Sequence, residues 1–279
     1  MNDGVYIVTG ANAGIGNAIS RELAQRGLSV VMVSRSLDRG EAARSEIIST
    51  SGTATIDLVQ GDLGDVESVH KLADDLLKKY RRVACLINNA GIWMQRKELN
   101  VDGLERTFMV NHIAPFILTN RLLPRLKENA PSRIVNVNAG LYALGKADLE
   151  KTPYGLDFSR MRTYADTKLC NLLFTLELAR RITGSGVTVN ALHPGVIRTN
   201  LGDAPGFLGA LSRFAKRFFA APEKGADAPV WLAVAPELEG VSGKFFFLRK
   251  EGKLTEDVRN EVLARDLWDL SSKLGRINT

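Results

Sequence analysis

The chain has 279 residues, of which 45% are hydrophobic and 24% charged, so wholesale disorder is excluded. A formal charge of +6, with no dense basic stripe or nucleic-acid motif, gives no case for a nucleic-acid partner. Two cysteines far apart, Cys85 and Cys170, exclude a disulfide framework, lack zinc spacing and suit a reducing, cytoplasmic compartment.

Met1 to Gly4 lead straight into an apolar run, without the basic start and cleavage site of a signal peptide. Val5–Thr9 reads as a strand and Ile15–Arg26 as a helix. Val30–Val33 and Ile56–Val59 are further strands, with helices near Asp38–Ser49 and Val66–Lys79. Val83–Ile87 is the fourth strand. A helical stretch follows from Leu104 to Lys127, in which Pro115 and Pro124 demand turns or kinks. Ile134–Val137 is the fifth strand. Arg162–Ile182 has apolar residues at helical spacing, including Leu169, Leu172, Leu173 and Leu176. Val187–Leu192 and Lys244–Leu248 complete seven strands, and Glu256–Leu274 is a final helix. The longest uncharged stretch, Ile182 to Ile197, is broken by Gly184, Gly186, Asn190 and Pro194, so no membrane span is expected.

Strands alternating with helices predict an α/β fold, a doubly wound, seven-stranded parallel sheet of Rossmann type with helices on both faces. No linker interrupts residues 1–279, which are expected to form one domain. The Gly/Pro-punctuated stretch 200–224 is expected to act as a lid over the site.

The first strand ends in Thr9-Gly10-Ala11-Asn12-Ala13-Gly14-Ile15-Gly16. Glycines at a strand-to-helix turn let backbone N–H groups and the helix N-terminus approach a pyrophosphate. The spacing is Gly-x₃-Gly-x-Gly, not the commoner G-x-G-x-x-G. The second strand runs into Ser34-Arg35-Ser36, where many NAD-binding chains carry an acid. Arg35 suits a 2′-phosphate, so NADP(H) is expected over NAD(H), with nearby Asp38 as the opposing consideration.

Six motifs in register make the sequence resemble the short-chain dehydrogenase/reductase family over nearly its whole length. They are the Thr9–Gly16 loop, Asp62-Leu63, Asn88-Asn89-Ala90-Gly91, Asn111, Tyr164-x₃-Lys168 and Pro194-Gly195. Glu177-Leu178-Ala179 and His193-Pro194-Gly195, within Leu173–Leu201, are most similar to a retinol-dehydrogenase-like branch. The resemblance implies a pyrophosphate loop of Gly10, Gly14 and Gly16, with Asn12 and Ile15 between them. It implies Asp62 and Leu63 beside adenine, and Asn88, Ala90 and Gly91 along the adenosine ribose and stabilising the central sheet. It implies Pro194, Gly195, Ile197 and Thr199 at the nicotinamide carboxamide. Association of copies through the helices of Asn111 and Tyr164 is a further implication.

Tyr164 and Lys168 stand four apart on one helix face. An ammonium beside a phenol lowers its pKa, which makes the phenol a usable acid/base. The resemblance implies that Tyr164 gives a proton to a carbonyl oxygen, that Lys168 also holds the nicotinamide ribose, and that Asn111 keeps a relay water. The family's serine, about 25 residues before the tyrosine, aligns with Ala139. A methyl cannot donate a hydrogen bond. Asn138 is a substitute donor if the alignment shifts by one residue or the chain leaves the sheet there, and Tyr142 is another. The chain therefore reads as an NADP(H)-dependent oxidoreductase, or as a redox-attenuated nucleotide-binding protein that acts as sensor, scaffold or non-redox catalyst.

His70, His112 and His193 lack metal-ligand spacing, so no metal is expected. His193 reads as structural. The apolar character of Arg213–Phe219 favours a hydrophobic carbonyl or alcohol substrate beneath a lid, with contact to a membrane surface as the second reading. Trp93 and Met94 are expected to line the same pocket.

Overall fold

The described residues of the computed structural model are 4–52, 55–196 and 221–278. Within them the apolar runs become β1 (Val5–Thr9), β2 (Val30–Ser34), β3 (Ile56–Gln60), β4 (Val83–Asn88), β5 (Ser132–Val137), β6 (Val187–His193) and β7 (Lys244–Phe247). A short β8 (Lys250–Glu251) follows. The sheet order is β3-β2-β1-β4-β5-β6-β7-β8. Strands β1 to β7 pair in parallel, whereas β8 turns back antiparallel, setting Phe247 against Lys250. The expected seven parallel strands are thus corrected to eight with an antiparallel edge. Two exposed polar residues offer no alternation from which a strand can be read.

The helices are α1 (Gly14–Gln25), α2 (Leu37–Ser51), α3 (Val66–Lys79), α4 (Arg106–Phe108), α5 (Ala114–Glu128), α6 (Arg160–Arg181), α7 (Pro222–Val234) and α8 (Glu261–Leu274). They cover both faces of the sheet. Ile19 and Leu23 of α1, Ile47 of α2 and Val230 of α7 pack with Val8, Met32 and Ile87. Leu72 of α3, Phe116 of α5, Leu173 of α6 and Trp268 of α8 pack with Ile7, Val31 and Leu86 on the other face. Strands buried on both sides explain their nearly continuous apolar runs. The free thiols Cys85 and Cys170 are buried, one in each layer.

Two helices depart from expectation. The stretch from Leu104 starts as helix only at Arg106 and passes through a π turn, Met109–Ile113, before α5. Pro115 has no N–H for the carbonyl of Asn111 four residues back, so the wider turn precedes it. Pro124 is accommodated within α5. The final helix divides into a short 3₁₀ turn, Asp257–Arg259, and α8, because the Asn260 side chain accepts the Leu263 N–H and starts a new helix.

Helix α8 lies on α5 and α6. Trp268 meets Phe116 at 5.0 Å and Phe174 at 5.9 Å between ring centroids, and the Arg181 guanidinium covers it at 4.3 Å. Among the described residues no helix is long and apolar enough to cross a membrane. Of the expected lid, only residues 221–224 are described, and they lead into α7; Arg213–Phe219 lies outside.

Candidate active site

The site forms where the carboxyl ends of the parallel strands meet α1 and α6. Thr9 anchors one half. Its Oγ1 accepts the N–H groups of Asn89 and Ala90, both at 3.0 Å, and Asn89 Nδ2 donates to its carbonyl at 2.8 Å. The glycine loop is thereby fastened to the Asn88–Gly91 turn. Gly10 and Gly14 have φ of +66° and +57°, a region that suits glycine. A Cβ on Gly16 would lie 2.4 Å from the Gly10 carbonyl oxygen. Helix α1 has no side-chain cap and no acid in its first turn. Its N-terminal N–H groups and dipole therefore suit an anion, and the cradle fits a pyrophosphate. Asn12 and Ile15 are half-buried beside it.

The Ala11 N–H donates to the Val33 carbonyl at 3.1 Å and holds the end of β2 beside the loop. Arg35 follows, exposed, as does Asp38 in the first turn of α2. Exposed Asp62 accepts the Gly64 N–H at 2.9 Å, and Leu63 packs partly buried against the core. Asn88 turns inward. Its amide donates to Thr119 Oγ1 and Asn136 Oδ1 at 3.0 and 2.9 Å, and Asn136 reaches Thr175 Oγ1 at 2.9 Å. This bridge from β4 through β5 to α6 has no signature in sequence spacing.

The other half gathers around Gly91. A Cβ there would lie 3.4 Å from Asn111 Oδ1 and 3.8 Å from Lys168 Nζ, so glycine leaves room beside both. The π turn presents Asn111 to the backbone of Ile92, accepting its N–H at 2.8 Å and donating to its carbonyl at 2.9 Å. Asn111 Nδ2 also reaches Thr167 Oγ1 at 3.2 Å. Lys168 Nζ lies 5.5 Å from the Tyr164 ring centroid and 3.4 Å from the Val137 carbonyl. Tyr164, Lys168 and Asn111 are therefore brought together, all buried.

Burial sets the protonation of Lys168 and Tyr164 in the chain alone. It lowers Lys168 from the usual 10.5 to about 8. It raises the Tyr164 phenol, the reverse of the lowering expected from its lysine neighbour. Sequence gives the neighbour but not the depth. Trp93 adds to the enclosure by stacking on Tyr164 at 4.6 Å and 14°, with its indole N–H donating to the Arg160 carbonyl at 2.6 Å. That stacking is missed by sequence reasoning, which places Trp93 only along the pocket.

At the end of β5, Ala139 offers its methyl. The Asn138 side chain is turned toward α6, where its amide donates to the Lys168 carbonyl at 3.0 Å and its oxygen accepts the Ala139 N–H at 2.9 Å. Asn138 is still paired with β6, its N–H on the Leu192 carbonyl at 2.7 Å, so sheet alternation persists through it. The reading of Asn138 as a substitute donor is corrected on this ground. Tyr142 is likewise engaged, donating to the Lys253 carbonyl at 3.0 Å. Buried Pro194 and half-buried Gly195 follow β6, whereas Ile197 and Thr199 lie outside the described residues.

Residues 4–205 match the family model described as short chain dehydrogenase. Retinol dehydrogenase 14 of Mus musculus is 39% identical, over 97% of this chain and 85% of that protein. Retinol dehydrogenase 11 of Homo sapiens is 38% identical over the same shares. Among solved structures, an uncharacterized protein from Mycobacterium Paratuberculosis is 31% identical with a TM-score of 0.78, covering 98% of this chain and 93% of that one. A short chain dehydrogenase from Burkholderia cenocepacia J2315 in complex with NADP is 25% identical with a TM-score of 0.70, covering 88% and 96%.

Proposed function

The chain belongs to the short chain dehydrogenase family, and we propose that it is an NADP(H)-dependent oxidoreductase interconverting a lipophilic aldehyde or ketone with its alcohol. The observation that carries this reading is the gathering of Tyr164, Lys168 and Asn111 around Gly91. Names of relatives that specify retinol support an apolar alcohol, and the apolar lid sequence agrees with it.

The dinucleotide would rest its pyrophosphate on Gly10–Gly16 and its 2′-phosphate near Arg35, with Asp62 and Leu63 toward adenine and Asn88, Ala90 and Gly91 along the ribose. Pro194, Gly195, Ile197 and Thr199 would border the nicotinamide. When bound, the cofactor supplies or accepts the hydride. The chain's part is the proton. The Tyr164 hydroxyl gives its proton to a carbonyl oxygen in reduction, and the phenolate takes one from an alcohol in oxidation. Burial alone makes that phenolate costly. The Lys168 ammonium, while protonated, favours it, and Asn111 holds the Ile92 backbone next to both. The two free thiols support a reducing, cytoplasmic setting, and residues 1–279 are read as one functional domain with a lid over 200–224.

Ala139 favours the second reading, a nucleotide-binding protein with attenuated redox chemistry. The test is NADPH oxidation over a panel of hydrophobic aldehydes and ketones by the chain, Ala139→Ser and Tyr164→Phe. Turnover by the chain, lost about 10²–10⁴-fold in Tyr164→Phe with NADPH binding preserved, supports the oxidoreductase. Turnover confined to Ala139→Ser supports the attenuated form. Full activity in Tyr164→Phe defeats the role given to Tyr164.

A further inference from the structure

Away from the candidate active site, the amino ends of the strands border a cavity of about 720 Å³, a size that suits a small ligand. Its floor is a row across the sheet. Tyr6 of β1 pairs with Cys85 of β4, Cys85 with Arg133 of β5, and Arg133 with Thr188 of β6. Residues level with one another in neighbouring strands point to one face, so the four side chains share the α7 side. The register slips between Val5 and Tyr6, and Ala84 and Cys85 both pack on that face. Only small side chains therefore stand between the phenol and the guanidinium. Ala179 and Ile182 at the end of α6, with Ala233 and Val234 at the end of α7, give apolar walls.

The polar groups of this row lack partners of their own. Tyr6 is only 5% exposed, and its hydroxyl has no hydrogen bond among the described residues. The oxygen is not one of the sealed orphan atoms, so it stays open to the cavity that Tyr6 lines. Burial pushes the phenol up to about 12, with Arg133 acting against it, so near neutral pH the group is a donor. Arg133 uses two of its five N–H groups on the carbonyls of Leu232 and Ala235, at 3.0 and 2.7 Å. It makes no ion pair among the described residues. The Glu237 carboxylate, which feels its charge, is held by the Trp231 indole N–H at 2.6 Å. Thr188 adds a half-buried hydroxyl with no described bond. The one carboxylate among the lining residues, Glu239, is exposed.

Donors and an unpaired positive charge in a cleft with apolar walls suit an anion with a hydrocarbon body. The carbonyl ends of α6 and α7 border the same cleft, and their dipoles favour one negative charge over two. We propose that this cavity binds an organic monocarboxylate with an apolar body, its carboxylate held by the Tyr6 hydroxyl, the Arg133 guanidinium and the Thr188 hydroxyl. The site stands apart from the residues assigned to the dinucleotide and the carbonyl, and the inference does not depend on the oxidoreductase reading.

The probe is decanoate, titrated into the full chain by calorimetry with and without saturating NADPH. It should fill one site in both cases. Acetate, which lacks the body, and decanol, which lacks the charge, should each bind at least about tenfold more weakly. Tyr6→Phe removes only the hydroxyl and should weaken decanoate about tenfold, with NADPH affinity kept within about threefold. Arg133→Gln should weaken decanoate further. If that variant loosens the end of α7 and fails to fold, Tyr6→Phe and Thr188→Val still decide.

Decanoate bound as tightly by folded Tyr6→Phe and Thr188→Val as by the unaltered chain overturns the proposal. So does binding that those variants leave intact but Tyr164→Phe weakens, which would put decanoate in the carbonyl site. Decanol bound as well as decanoate would mark a merely apolar cavity and overturn the carboxylate.

Discussion

His112 and His193 both lie on the α6 side of the sheet, and burial lowers the pKa of each. Their surroundings are opposite. His112 is fully buried, its Nδ1 3.3 Å from Asn171 Oδ1 and its Nε2 2.8 Å from Ser271 Oγ. Phe108, Phe116 and Phe174 surround the ring at 5.1 to 6.4 Å. Its pKa falls to about 4, and as a neutral ring both nitrogens are satisfied within the chain. His193 Nδ1 is buried with no hydrogen-bond partner, and the Cδ2–Nε2 edge of its ring lies against Gly140. Burial and a lowered pKa are therefore shared by a histidine with both nitrogens bonded and one whose Nδ1 has no partner. The open bond and its neighbours separate them.

The closed end breaks most visibly at Trp268. Trp268→Ala should cost about 3–5 kcal/mol in urea denaturation by emptying the contact among α5, α6 and α8. At fixed temperature, with the protein still folded, NADPH affinity should hardly change. A large loss of affinity at full folding would show that the two ends are coupled.

The open end should behave in the reverse sense. Lys168 titrates near 8 in the folded chain and near 10.5 when exposed. Between those values the unfolded chain binds more protons, so stability rises as pH increases through this window. Below about 8 the buried ammonium carries its full desolvation cost. Lys168→Met should accordingly stabilise the chain at pH 7 by about 1–3 kcal/mol while abolishing turnover. The stability gain should shrink toward pH 10. A destabilised Lys168→Met at pH 7 would mean that Lys168 has closed partners, as His112 does.

The smallest effect lies away from both ends. Arg35→Ala should weaken NADPH binding about tenfold and leave NADH binding and stability unchanged, because Arg35 is exposed. Equal binding of the two cofactors by the unaltered chain would remove Arg35 as the selector.

Most of the sheet was legible because its strands are apolar runs punctuated by glycine loops. The positions of Tyr164 and Lys168 on one face of α6 follow from helical spacing. What stayed hidden depends on distant parts of the chain. The Asn88–Asn136–Thr175 link joins three elements, and the Trp93–Tyr164 stack joins a loop to α6. The π turn at Asn111 follows from local packing before Pro115 more than from apolar period. The direction of Asn138 depended on where β5 leaves the sheet, and the hydrogen bond to Leu192 carries the pairing one residue further. Nor did the lysine beside Tyr164 reveal that burial would govern both groups.

The two thiols give this architecture a pair of internal clocks. Cys85 lies in β4 in one layer and Cys170 in α6 in the other, two residues past Lys168. Burial pushes Cys85 up to about 12 and raises Cys170 as well, so neither presents a thiolate near neutral pH in the closed fold. Alkylation must wait for opening. The labelling rate of Cys170 then times exposure of the helix that bears Tyr164 and Lys168, and that of Cys85 times exposure of the central sheet. Equal rates would mark one cooperative unit, whereas faster labelling of Cys170 would mark an α6 layer that opens on its own.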